Sequence, residues 1–189
     1  MPSAGNVWQL SLSSDKGYPE YWATQDAISY LGGGYSEIHG NPYLKPNVGY
    51  QTQLLYVLNN KYIFTAWFNH SNDYFVQTLY QSPERLLEIY KYLNFDYKQQ
   101  TGVQAVIPFK IKEWLNSRIT LIGVYDREKD CDFWDIPFDR KVVFGMAFMN
   151  NTFMLSSKPN IKLIVNGMVR SKATQGIYDL PASGNVDIA

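Results

Sequence analysis

The chain has 189 residues, with 17 basic and 17 acidic side chains and a formal net charge of zero. That balance excludes the basic excess of a nucleic-acid binder, and a hydrophobic share of 46% excludes intrinsic disorder. A single cysteine, Cys131, and two histidines, His39 and His70, exclude a disulfide framework, a cysteine-paired zinc site and a histidine-built triad.

The first residues after Met1 carry neither the basic stretch nor the apolar core of a signal peptide. No apolar run reaches the roughly 18 residues of a membrane helix. The chain is therefore expected to be either cytoplasmic or cut from the interior of a longer one. The dominant sequence period is two, which predicts strands.

In chain order, a first strand starts near Val7. A long loop, 14–48, follows and carries Tyr18, Trp22, Gly32-Gly33-Gly34, Tyr35 and His39. The triple glycine is not a phosphate loop, because no Gly-Lys-Ser/Thr follows it. Residues 50–58 put Tyr50, Thr52, Leu54, Tyr56 and Leu58 on one face. Asn59-Asn60-Lys61 signals a tight turn. Residues 62–69 put Tyr62, Phe64, Ala66 and Phe68 on one face. A region around 70–87 reads as loop, with Ser82-Pro83-Glu84 as a short helix start. Strands then read over 87–96, 101–109 and 118–126, the last with both faces mixed.

The segment 127–140 reads as another long loop. Its surroundings, 126–139, hold Asp126, Glu128, Asp130, Asp132, Asp135 and Asp139 together with Trp134. The spacing does not match a calcium loop, so a solvated acidic surface is expected. The same acids should raise the Cys131 thiol and lower its reactivity. In 142–155, Val142, Phe144, Met146 and Phe148 lie on one face, with Gly145 and Ala147 on the other. After a turn at 156–160, residues 161–171 put Ile161, Leu163, Val165, Gly167 and Val169 on an uncharged face. Lys162, Asn166 and Arg170 lie opposite. A last strand begins at Val186 and stops at Ala189.

Connections alternate short and long. A sandwich has no reason to gather its long loops at one end, whereas a transmembrane barrel does. The fold class read from this pattern is all-β: antiparallel strands, about eight of them, forming an arc of a large transmembrane β-barrel. Four terminal residues cannot complete a spanning strand, and an open edge cannot face lipid. Val165 is then lipid-facing, with Lys162 and Arg170 toward the lumen. Trp114, Trp67 and Tyr62 are candidates for an aromatic girdle at the inner interface.

Residues 40–46 (GNPYLKP), 90–96 (YKYLNFD), 151–155 (NTFML) and 171–178 (SKATQGIY) resemble, in order, segments of Bacteroidetes-type TonB-dependent outer-membrane receptors. The group is often labelled the outer membrane beta-barrel family. At 18–22 (YPEYW) the sequence departs from it, with Gly17-Tyr18 where that group carries an arginine. The likeness spans about residues 8–189. It implies a barrel of about 22 strands around a plug, of which 1–189 is one segment. The plug, the TonB box and the terminal strands lie outside this sequence.

It also implies the cell outer membrane as location. The partners would be outer-membrane lipid, TonB acting through the missing plug, an unknown small nutrient and a surface lipoprotein, with no nucleic acid. Trp22, Tyr35, His39 and Trp134 are the loop side chains placed to grip a ligand. No catalytic residues, cofactor or metal are expected, because no nucleophile, base and orienting group assemble. The alternative is a soluble or surface-anchored β-sandwich that binds glycans.

Overall fold

A computed structural model describes residues 5–31, 33–84 and 86–189. Gly32 of the triple glycine and Arg85 of the expected helix start lie outside the described residues. The main path of the sheet runs through β1 (Val7–Gly17), β4 (Asn47–Leu58), β5 (Tyr62–Gln81), β6 (Glu88–Lys112), β7 (Leu115–Phe133), β8 (Ile136–Ser157), β9 (Asn160–Arg170) and β12 (Ser183–Ile188). They pair in that order, each antiparallel to the next. Eight strands in one path is the number that the period-two reading predicts.

The remaining strands are short. They are β2 (Ile28–Leu31), β3 (Ser36–His39), β10 (Ala173–Gln175) and β11 (Tyr178–Leu180). Among the described residues the only helical element is a 3₁₀ turn, Tyr21–Thr24. The short helix expected to start at Ser82-Pro83-Glu84 is not found among the described residues. Ser82 N–H donates to the Leu87 carbonyl (3.0 Å), and Glu88 already pairs as strand.

The sheet is open, with free edges on β1 and β12. Among the described residues the other sheet is a two-stranded one, too small to form the second layer a sandwich needs. The last strand begins earlier than expected, at Ser183, and Ala189 extends its ladder through both bonds to Ile164.

The turns at one end are tight. Asn59 and Asn60 both take positive φ (53° and 50°), the signature of a type I′ hairpin. Glu113-Trp114 and Lys158-Pro159 join the next two pairs. At the far end the expected loops at 70–87 and 127–140 are mostly strand. β5 and β6 run on as a hairpin to Gln81 and Glu88, and β7 and β8 run on to Trp134-Asp135, again with two positive φ values (50° and 64°). Both faces of these extensions are mixed, so hydrophobic alternation could not disclose them; ladder hydrogen bonds hold them.

Register decides which face is which. Leu54, Ala66, Val103, Gly123, Gly145 and Ala147 all fall on one face by cross-strand pairing. That face is apolar and carries no charge until Arg127 and Lys141. Gln53, Gln100, Asp126 and Glu128 fall on the other. The first is the outward, lipid-facing surface and the second lines the interior.

Val143, Gly145, Ala147 and Met149 point outward, while Phe144, Met146 and Phe148 pair with Val124, Ile122 and Thr120 inside. Bulk does not select the lipid face, because interior positions are also filled by large side chains.

Outward aromatics flank the apolar strip. Trp8, Tyr56 and Phe64 stack in series (4.1 and 6.3 Å) near the tight turns. Trp114 stacks on Phe153 at 5.9 Å at the same end. Phe68, His70 and Tyr97 form the row at the other end (6.5 and 5.6 Å). Trp67 does not belong to either row. It pairs with Gly102 on the inner face, and a Cβ on Gly102 would fall inside the Trp67 indole. Gly102→Val is accordingly expected to cost about 1–3 kcal/mol by overpacking. Trp67→Ala in the same chain should recover most of it, read by urea unfolding in lipid vesicles. An unchanged cost in the double variant would show that the indole is not the obstacle.

Candidate functional site

Two inner and outer features stand at the long-loop end. On the inner wall, period two along β7 places Asp126, Glu128 and Asp130 inward, each below 10% exposed. Arg127 and Lys129 point outward. Lys98 of β6 meets the inward pair: its Nζ lies 2.7 Å from Glu128 Oε1 and 3.4 Å from Asp126 Oδ2. The same ammonium sits 4.9 Å from the centre of the Tyr74 ring. Positive φ at Asp73 (51°) turns Tyr74 to this side, whereas Tyr97, opposite Asn72, stays outward beside His70.

One cation faces two carboxylates here, and Asp126 Oδ1 is buried without a partner among the described residues. Asn69 Oδ1, in the same cross-strand row through Gln100, is in the same condition. A cavity of about 150 Å³ lined by Asn69, Ser71, Lys98 and Gln100 opens beside them. The sequence reading treats 126–139 as a solvated acidic loop and misses this cluster. The alternation of acid and base in Asp126-Arg127-Glu128-Lys129-Asp130 was the available signal.

The four predicted ligand residues are not brought together. Trp22 sits in the 3₁₀ turn, edge-on to Tyr92 at 5.6 Å, with its Nε1 donating to Glu20. With Tyr18, Phe75 and Tyr92 it lines a cleft of about 200 Å³. His39 lies on β3, its Nε2 2.7 Å from Glu37 Oε2. Tyr35 is 63% exposed at the start of that strand.

Trp134 occupies the tip of the β7–β8 hairpin and stacks on Tyr80 at 4.6 Å. Below it Phe133 and Phe138 close over Phe95, which is 1% exposed. Phe75 and Tyr80 differ by an odd number of positions on one regular strand, so Trp22 and Trp134 pack on opposite faces of the β5–β6 hairpin.

The first long loop is anchored by side-chain clamps. Asn41 Nδ2 donates to the Tyr92 carbonyl (2.9 Å). Asn94 accepts from Lys45 N–H (2.8 Å) and donates to the Lys45 carbonyl (2.9 Å). Thus GNPYLKP docks directly on YKYLNFD. A Cβ on Gly40 would strike the Gln25 carbonyl, so that position accepts only glycine. β3 then adds in parallel to the upper edge of β6, which β7 has left free.

Where the sheet divides, Asp96, Asp130 and Cys131 bring three possible metal-ligand atoms within 4.8 Å of one another. The charge of Asp96 raises the Cys131 thiol, so the proton a metal would displace is held more tightly. This is the direction the clustered acids predict. Nearby on the outward side, hydrogen bonds from the Arg127 guanidinium (2.7 and 2.8 Å) hold the Asp139 carboxyl down at about 2.

A sheet with an uncharged strip between aromatic rows on one face, and buried ion pairs on the other, is a piece of outer-membrane β-barrel wall. This chain belongs to the Outer membrane protein beta-barrel family, whose sequence model matches residues 2–189. A search of curated proteins returns no match. Three solved chains match by structure. One is a ferric enterobactin receptor of Pseudomonas aeruginosa, crystallised as a point mutant in complex with enterobactin. It is 11% identical with a TM-score of 0.46, and the match covers 97% of this chain and 38% of that receptor. Membership of that family places the protein in the outer membrane.

Proposed function

We propose that residues 1–189 form one arc of the barrel of a TonB-dependent receptor of the Bacteroidetes type, which imports a scarce small nutrient. The observation that carries this reading is the open sheet. β1 and β12 each leave an edge unpaired, and unpaired N–H and C=O groups cost several kcal/mol each in lipid. Further strands of the same protein pair with those edges and enlarge the ring enough to house a plug. TonB energises passage through that plug. Trp22 and Trp134 present aromatic surface to a ligand arriving from outside, and a surface lipoprotein delivers it. The role is binding and passage rather than catalysis.

The test is uptake in the source bacterium under nutrient limitation. Deleting the gene should abolish growth on one scarce nutrient, and dissipating the proton gradient should stop uptake in intact cells. Trp22→Ala or Trp134→Ala should raise the half-saturating concentration about tenfold, as loss of one aromatic contact does. Uptake that persists without the proton gradient would refute the receptor reading.

A further inference from the structure

Two inner rows cross β5, β6 and β7 toward the long-loop end, which faces the cell exterior. One is Asn69, Gln100 and Asp126, and the next is Ser71, Lys98 and Glu128. Lys98 Nζ reaches both carboxylates, Glu128 Oε1 at 2.7 Å and Asp126 Oδ2 at 3.4 Å. Its charge offsets one of the two. Arg140, the inward cation opposite Glu128 on β8, is taken by Asp179 and donates to the Gly176 carbonyl at 3.1 Å. The two rows are left with one negative charge.

That charge has a place. Asp126 is 6% exposed, and its Oδ1 is buried without a partner among the described residues. Asn69 Oδ1, in the same row, is also buried and unpartnered. The side chains of Ser71 and Gln100 have no hydrogen-bond partner among the described residues either. The backbones of Asn69 and Asp126 stand two strand spacings apart, about 10 Å. A cavity of about 150 Å³, lined by Asn69, Ser71, Lys98 and Gln100, adjoins them. Buried oxygens without donors are costly, so these atoms suit a group that is both cationic and a hydrogen-bond donor.

We propose that this part of the inner wall binds the ammonium group of the imported solute, so that the nutrient is a primary amine. An alkylammonium carries three donors and no acceptor. They go to Asp126 Oδ1, to Asn69 Oδ1 and to an oxygen of Ser71 or Gln100. Two ammonium groups then face two carboxylates, and the charge of the rows falls to zero. A metal ion suits the site less well. Calcium takes about six to eight oxygens, and the Lys98 ammonium already stands 3.4 Å from the other oxygen of Asp126. The solute's identity as an amine rests on the receptor reading above and deepens it.

The experiment uses the whole barrel purified from outer membranes in mild detergent. Saturation-transfer NMR reads its binding of ethanolamine and of ethylene glycol, with calcium chloride as competitor. Ethanolamine should bind, the glycol at least tenfold more weakly, and calcium at equal concentration should not displace the amine. D126N, which leaves the Lys98–Glu128 pair in place, should weaken ethanolamine about tenfold, as loss of a charged hydrogen-bond acceptor does. N69A should weaken it several-fold, with heat-modifiable gel mobility unchanged, and decides the matter should D126N fail to assemble. No binding of ethanolamine, equal binding of the glycol, displacement by calcium, or undiminished binding by both variants would overturn the site. The receptor reading fails separately, on uptake that persists without the proton gradient.

Discussion

Arginine at Leu121 lowers the folding stability of the barrel by about 2–4 kcal/mol, the cost of a cation at mid-depth on the lipid face, and arginine at Val165, nearer the tight-turn end, by less. Arginine at Thr120, one residue from Leu121, changes it by less than about 1 kcal/mol. Leu121 is 47% exposed and outward, in the middle of the uncharged outward-facing row of β7 between Ser117 and Arg127. Thr120 pairs with Val106 and Phe148 on the inner face. Val165 faces outward on β9 opposite Asn151, level with Ser117 at the tight-turn end of that row. Urea titration of the barrel in lipid vesicles, followed by tryptophan fluorescence, gives the comparison. Equal costs at positions 120 and 121 would mean that the two faces do not differ as register requires. The assignment of Val103, Gly123 and Gly145 to lipid would then fall with them.

Removing the Lys98 ammonium should be the most damaging polar substitution. Lys98→Met leaves Asp126 and Glu128 side by side, 6% and 5% exposed, without the one cation that pairs with them among the described residues. Breaking a buried pair from one side costs about 3–5 kcal/mol, because a charge is left without compensation. Neutralising the partners as well, in Lys98→Met with Asp126→Asn and Glu128→Gln, should restore most of the loss. Unfolding of the three barrels in the same vesicles reads the difference. A loss under about 1 kcal/mol for Lys98→Met would show that water or another cation already serves the carboxylates.

Much of this architecture was legible in the residues. Leu54, Phe64, Val103 and Val169 recur at period two opposite Gln53, Thr65, Gln104 and Arg170, and that alternation predicts strands with one apolar face. Asn59-Asn60 predicts its hairpin because asparagine tolerates the positive φ a type I′ turn needs. The hairpin extensions were not legible. Residues 70–81 and 127–140 mix polar and aromatic side chains on both faces, and their strand form rests on backbone pairing alone. The candidate ligand residues are three loop aromatics and a histidine, and two of them, Trp22 and Trp134, sit in aromatic contacts. Nothing in their spacing showed that the β5–β6 hairpin would stand between them.

From its sequence alone this protein was determined to be antiparallel β, uncharged along one face and punctuated by tight turns at one end. Alternation and turn chemistry are local properties, set by side-chain direction and φ within a few residues. Tertiary structure decided which face of β8 meets lipid and that Lys98 is shared by Asp126 and Glu128. It also decided that the GNPYLKP loop docks on Tyr92 and Asn94. Each of these depends on cross-strand register and on partners tens of residues apart, and a period of two is the same for either face until a neighbouring strand fixes it.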